Sequence, residues 1–216
     1  MKEMSRGTLL AAINLLVFTL VGTALLAFSY AQTRAPIAQS DEQEKLKLIS
    51  QLLPPDLFDN NVIRDARTLK ADALLGSTDG STAYRARLKG QPSAVVLEAI
   101  APDGYSGRIK LLVAIKASGE IAGVRVVEHR ETPGLGDYIE LGKSNWIKNF
   151  DGASQTRYKD PDWKVKKDGG QFDYMAGATI TPRAVVKAVH KALQYFEANR
   201  DQLFAAAAPA AQGDKP

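Results

Sequence analysis

The sequence predicts an α+β protein, a largely antiparallel sheet with packed helices, preceded by one N-terminal transmembrane helix. Three observations carry that prediction. The run from Thr8 to Tyr30 contains no charged residue and, as a helix, would cover a hydrocarbon core of ~30 Å. Three strand-like runs follow one another closely: AVVLEAI from Ala94, IKLLVAIK from Ile109 and IAGVRVVEH from Ile121. A segment from Phe172 to Phe196 then ends in strong helix signals.

Taken in order, the first element is an anchor. Lys2 and Arg6 precede the apolar run, while Asp41, Glu42 and Glu44 follow it beyond Arg34. The positive-inside bias therefore predicts a cytoplasmic N-terminus and a soluble part outside the inner membrane. A cleaved signal peptide is the rival, since Ser29-Tyr30-Ala31 has a small-x-small form, but the apolar core exceeds the roughly 7–15 residues of such leaders. Ser40-Asp41-Glu42-Gln43 has capping-box spacing, and Leu46, Ile49 and Leu53 follow at helical intervals up to Pro54-Pro55, which predicts a separate amphipathic helix. From Asp56 to Gln91 the pattern is weak, with a turn at Asp79-Gly80 and an edge strand over Thr82 to Leu88.

The three strong strands come next, the last two joined by a hairpin turn at Ala117-Ser118-Gly119-Glu120. A helical stretch is expected around Lys143 to Phe150, and WKVKK, from Trp163 to Lys167, alternates like a further strand. In the final helix Thr181 serves as N-cap and Pro182 as first residue, with Val185, Val186, Val189, Leu193 and Phe196 on one apolar face. The expected division is 1–31 anchor, 32–91 membrane-proximal helix and small N-terminal lobe, 92–204 the principal domain, and 205–216 a low-complexity tail.

Composition narrows the chemistry. The chain has 216 residues, 45% hydrophobic and 24% charged, and a mean hydropathy of −0.19. Those values exclude a polytopic membrane protein and a disordered chain. No cysteine is present, which excludes thiolate clusters, c-type haem attachment, cysteine zinc sites and disulfides. The two histidines, His129 and His190, argue against a multi-histidine metal site. Redox chemistry would have to use an organic cofactor. The net charge is +4, and Lys2, Arg6 and Glu3 leave +1 before residue 32, so the remainder carries a dilute +3 with no nucleic-acid pattern.

The chemistry-bearing segments lie in three loops. Gly177-Ala178-Thr179 empties into a helix N-terminus, where unpaired amides and the helix dipole favour an anion; a plain strand-to-helix turn would read the same way. Glu131-Thr132-Pro133-Gly134-Leu135-Gly136 interrupts the chain directly after a strand. Glu128, His129 and Glu131 cluster in sequence, but alternate side chains of an extended segment point to opposite sides, so no metal site is expected. His190 reads as structural, and Tyr105 as either a packing residue or a neighbour of a ligand.

The order of these motifs resembles a known family. Asp173-x-x-Ala176-Gly177-Ala178-Thr179 resembles the flavinylation motif of proteins that carry FMN in phosphoester linkage to threonine. With the single N-terminal span, the Gly-Tyr-Ser-Gly turn at 104 to 107, the ETPGLG loop and GATITP before a helix, the chain is similar to the G subunits of the Rnf (Rsx) electron transport complex. Those proteins are relatives of the C subunit of the sodium-translocating NADH:quinone reductase, and the resemblance covers nearly the whole chain. It implies an FMN-binding domain over 92–204, with FMN covalently held by Thr179 and Asp173 at the acidic motif position. Gly177, Ala178, Ala176 and Thr181 would surround the attachment, and Glu131, Thr132, Gly134, Leu135 and Gly136 would line the isoalloxazine side. Lys167, more than Lys164 or Lys166, would offset the phosphodiester charge. Ala176 departs from the Ser or Thr frequent in the family, which removes one hydrogen bond to the phosphate or flavin.

The resemblance further implies a separate flavin transferase using FAD and Mg²⁺. Its partners would be other membrane subunits that couple electron flow between ferredoxin and NAD⁺ to ion movement. No catalytic residue is expected in this chain, and it would not turn over alone. Two rivals remain: a cofactor-free membrane-anchored scaffold, and a small exported hydrolase using Glu131 with His129, which lacks a G-x-S-x-G nucleophile motif.

Overall fold

A computed structural model describes residues 6–205. The basic residue Lys2 and the tail beyond Ala205 lie outside the described residues. The chain forms two compact units, one ending at Lys45 and the other beginning at Leu46.

The first unit is helical. Helix α1 runs from Arg6 to Leu52 without interruption, and its Gly7–Ile37 portion is long and apolar enough to cross a membrane. The separate helix expected from Ser40 does not start there, because α1 continues through Pro36. A proline inside a helix removes one backbone donor, but Pro36 is exposed, where solvent can satisfy the freed carbonyl. The strong helix formers from Glu42 onward then carry the helix to Leu52, just before Pro54-Pro55.

The second unit is built on one sheet. Strands β1 (Ala66–Leu69), β2 (Ser81–Leu88), β3 (Gln91–Ala101), β4 (Ile109–Lys116) and β5 (Ile121–Glu128) lie in sequence order, each antiparallel to the next. The stretch expected to form a small lobe therefore supplies the first two strands of the main sheet. Thr82 to Leu88, read as an edge strand, lies between β1 and β3. Strand periodicity sorts the side chains onto two faces. Val95, Leu97, Leu111, Val113 and Ile115 face one core, and Ala94, Val96, Leu112 and Ala114 face a second with Ile49, Leu52 and Leu53.

Helix α2 (Ile180–Phe204) covers the first core with Val185, Val189, Leu193 and Phe196, all fully buried. Its C-terminal carbonyls are held by arginines from the sheet. Arg67 donates to Gln202 O and Arg85 to Ala205 O, and Arg87 Nη2 lies 3.1 Å from Phe204 O. Cations at a helix C-terminus also meet the negative end of its dipole. Asp65 pairs with both Arg85 and Arg87, so the buried Arg85 guanidinium, 2% exposed, is not left uncompensated.

WKVKK does not join the sheet. Within 162–172 the backbone bonds turn inward: Phe172 N donates to Lys164 O at 3.1 Å, Lys166 N to Phe172 O at 2.7 Å and Gln171 N to Asp162 O at 3.0 Å. Little is left to pair with β5, whose Ile121 exchanges bonds with Gly152 and Ala153 instead. The apolar residues of this loop build an aromatic stack on α2. Phe150 stacks on Phe172 at 4.9 Å, Phe172 on Trp163 at 5.2 Å, and Trp163 on the His190 ring at 4.9 Å with the planes 1° apart. The helical stretch expected near Lys143 is a short 3-10 turn, Trp146–Phe150.

His190 is structural, and its burial has a pH consequence. Desolvation pushes its pKa below the ordinary histidine value, and Asp160, 3.1 Å from Nε2, opposes that shift. The unfolded chain therefore binds the proton more readily than the folded one. The contribution of neutral His190 is complete above the unfolded pKa of about 6.5 and is lost as pH falls through the lower folded value. Denaturant unfolding of the detergent-solubilised chain should show stability falling from pH 7.5 to 5.5, with a shallower fall in His190→Gln. Equal slopes in the two proteins would remove His190 from this role.

Candidate functional site

The site is assembled where β5 ends. Glu131 opens the loop that follows, and its side chain is 4% exposed. Its Oε1 accepts from the Ser106 amide at 3.0 Å, and its Oε2 accepts from the Thr181 hydroxyl. One carboxyl group thus joins three segments: the Gly-Tyr-Ser-Gly turn between β3 and β4, the ETPGLG loop, and the first turn of α2.

The glycines around it are fitted to that carboxyl. A Cβ on Gly136 would lie 2.8 Å from Glu131 Cβ and 3.1 Å from Thr181 Oγ1, and one on Gly104 would lie 2.8 Å from Glu131 Oε1. The loop itself is closed by Gly136 N to Thr132 O at 2.9 Å and by Gly134 N to Asp137 Oδ1 at 2.8 Å. Thr132, Gly134 and Leu135 remain exposed.

A second set of contacts fixes the segment leading to α2. The Trp146 indole donates to Asp173 O at 2.7 Å, and the Tyr138 phenol oxygen accepts from Met175 N at 3.3 Å. Burial raises the Tyr138 pKa, and the Met175 amide bond opposes that rise. The two rings meet edge-on at 5.5 Å. The chain then turns at Ala178, whose N–H bonds Met175 O at 3.1 Å. Gly177 sits at φ +87°, a left-handed conformation that favours glycine, and nothing lies within 4 Å of where its Cβ would be.

The helix starts two residues earlier than the sequence suggests. Thr179, not Thr181, is the N-cap of α2, and Pro182 is the third helical residue. Thr181 is buried, 1% exposed, because Glu131 takes its hydroxyl. Thr179 is half-buried and its hydroxyl makes no capping bond. First-turn amides have no intrahelical partner, so this end can receive an anion beside an uncommitted hydroxyl.

Two ion pairs order the charges near the turn. Asp173 pairs with Lys166 at 2.5 Å, while Lys167 is exposed beside Asp168. Asp168 takes both arms of Arg183 at 2.5 Å, and those bonds hold its carboxyl below the usual range. Among the described residues from 46 to 205, six large apolar side chains are exposed: Leu88, Tyr105, Leu135, Tyr174, Met175 and Ile180. All but Leu88 belong to the three joined segments or to the stretch that leads into α2.

Comparison with known proteins agrees with this geometry. The FMN-binding domain model matches residues 104–194, which span all three segments, and the RnfG N-terminal region model matches residues 1–52. The chain is 52% identical to the G subunit of the ion-translocating oxidoreductase complex of Pseudomonas aeruginosa, over 93% of this chain and 94% of the relative. It is 49% identical to the corresponding protein of Vibrio cholerae over 88% and 90%, and 47% identical to that of Shewanella baltica over 88% and 90%. The chain belongs to the RnfG family.

In this family member the structure brings together Glu131, Gly136 and Thr181, with Ala178 and Thr179 directly before Thr181 in the chain. Glu131 and Thr181 are buried and bind each other, whereas Gly134, Leu135 and Ala176 are exposed. Sequence reasoning missed Tyr138 and Trp146, which hold the Asp173–Met175 backbone. Trp146 lay inside the stretch expected to be helical and Tyr138 just before it, and neither carried a motif.

The joint at Glu131 predicts a graded response. Glu131→Ala leaves the Ser106 amide and Thr181 hydroxyl without their acceptor and should cost about 2–4 kcal/mol in denaturant unfolding, whereas Glu131→Gln, which keeps an oxygen and the volume, should cost about half. Gly136→Ala should cost about 1–3 kcal/mol by overpacking, although its backbone at φ −92° is unstrained.

Proposed function

We propose that this chain carries FMN in phosphoester linkage to Thr179 and passes electrons within a membrane-bound ion-translocating oxidoreductase. Its soluble unit would lie on the periplasmic side of the inner membrane. The observation that carries this reading is the Thr179 hydroxyl, uncommitted by any cap at the start of α2 and beside the open backbone of Gly177.

The residues fit the group. The first-turn amides of α2 and its dipole suit a phosphate, and Lys166 and Lys167 lie on the loop that carries Asp173. Leu135, Tyr105, Tyr174, Met175 and Ile180 offer exposed apolar surface of the kind that covers a flat ring. Glu131 and Thr181, buried and bonded to each other, hold together the segments that carry these residues. When bound, FMN supplies reversible one- and two-electron transfer, and the chain's own task is to tether it, orient it and shape its surroundings.

A separate flavin transferase, as the family resemblance implies, would form the link, so Thr179 would need no general base of its own. The charge pattern across α1, with Arg6 before the apolar run and acidic residues after it, supports the outward orientation. Electron donors and acceptors, with ferredoxin and NAD⁺ at the ends of the chain, would meet the flavin through other membrane subunits.

Intact mass of the membrane-purified protein, in-gel fluorescence under ultraviolet light and peptide mapping test the attachment. A flavin-sized phosphoester adduct on the peptide containing Thr179 is expected. Thr179→Val should give a folded, colourless protein and a complex that assembles without turnover. Full electron-transfer activity in that variant, or an unmodified wild type from cells possessing the transferase, would overturn the reading.

A further inference from the structure

His129 lies two residues before the ETPGLG carboxyl and is nearly buried, its side chain 11% exposed. Its two ring nitrogens are both engaged. Nδ1 accepts from the Glu131 amide at 2.9 Å, and Nε2 bonds Glu140 Oε1. An Nδ1 that accepts leaves the proton of a neutral ring on Nε2, where Glu140 receives it.

Glu131 begins the loop and Glu140 ends it. Glu140 N bonds Asp137 O at 3.0 Å, and Glu140 O accepts from Lys143 N and Ser144 N, so its position is tied to the turn that follows. The imidazole therefore bridges both ends of the loop from a single strand terminus. We propose that His129 is a positioning residue of the flavin site: it clasps the 131–140 loop and, through the Glu131 amide, sets the carboxyl that joins that loop to Ser106 and Thr181.

This inference rests on the flavin reading, and it gives His129 a role that the flavinylation motif does not assign. The path is short: His129 to the Glu131 backbone, Glu131 to the Thr181 hydroxyl, and Thr181 to the turn of α2 that begins at Thr179. A residue of similar size without an acceptor at the Nδ1 position would leave the Glu131 amide without its partner and loosen the loop entry.

The test separates the two nitrogens. Asn places an oxygen close to the position of Nδ1, whereas Gln places its terminal group close to Nε2 and leaves the Nδ1 position without an acceptor. Full-length chain is co-produced with the flavin transferase, and three quantities are read: the rate of adduct formation on Thr179, the midpoint potential of the bound flavin, and hydrogen exchange at the Glu131 amide. His129→Gln should slow adduct formation and speed Glu131 exchange, each about tenfold, and displace the potential. His129→Asn should return the rate and exchange to within about threefold of wild type and restore the potential. Glu140→Ala, at a half-exposed position that should not threaten folding, should shift all three in the direction of His129→Gln by a smaller amount.

Unchanged potential, rate and exchange in His129→Gln would overturn the proposal, as would Asn and Gln variants that are equally impaired. A wild type with no adduct would overturn the flavin reading instead. Glu131 exchange in the three variants would then still decide whether the clasp exists.

Discussion

The second unit is organised around one buried carboxyl group. Glu131 has two oxygens, and each takes a donor from a different segment. A buried acceptor left without donors costs roughly 1–3 kcal/mol or more, so any arrangement that separates the three segments exposes Glu131 to that loss. This makes the joint cooperative: the hairpin turn, the ETPGLG loop and the start of α2 are held together or released together. The close approach at Gly136 follows from the same need, since a Cβ there would press on the Glu131 side chain, and one at Gly104 would meet both the Gly107 carbonyl and Glu131 Oε1.

Helix α2 is fixed at its other end by an unrelated device. Arg67, Arg85 and Arg87 reach its last carbonyls from β1 and β2, while the stack of Phe150, Phe172, Trp163 and His190 lies along its side. The helix start is therefore placed by the sheet through both ends. A site on rigid elements keeps its geometry better than one on free loops, and here even the loop residues 173–175 are held by Tyr138 and Trp146.

The strands were legible because 94–100, 109–116 and 121–128 are short, nearly continuous apolar runs, as a sheet buried on both faces requires, and the turn at 117–120 has few alternatives. The site motifs were legible because glycine and proline mark where a chain must bend. What failed has a common cause, which is competition between local signals and distant partners. Trp163 to Lys167 alternates like a strand, yet its backbone bonds close within 162–172 and its aromatics are drawn to α2. Ser40 to Gln43 has a cap's spacing, but a helix already running from the apolar segment passes through it. Lys166 meets Asp173, a pairing that no pattern in the sequence encodes and that the motif reading did not address.

The two threonines of GATIT show the same competition and bear on the proposed attachment. By sequence Thr181, directly before a proline, is the better cap. The fold instead buries Thr181 against Glu131, so a phosphoester at its oxygen would remove a donor from the joint that builds the site and would need room where only 1% of the residue is exposed. Thr179 carries no such duty. Its backbone begins the helix, its hydroxyl does not cap, and the preceding Gly177 leaves open space on the approach. Modification there can use the helix N-terminus without dismantling what positions it, which is the physical reason to assign the two hydroxyls opposite tasks.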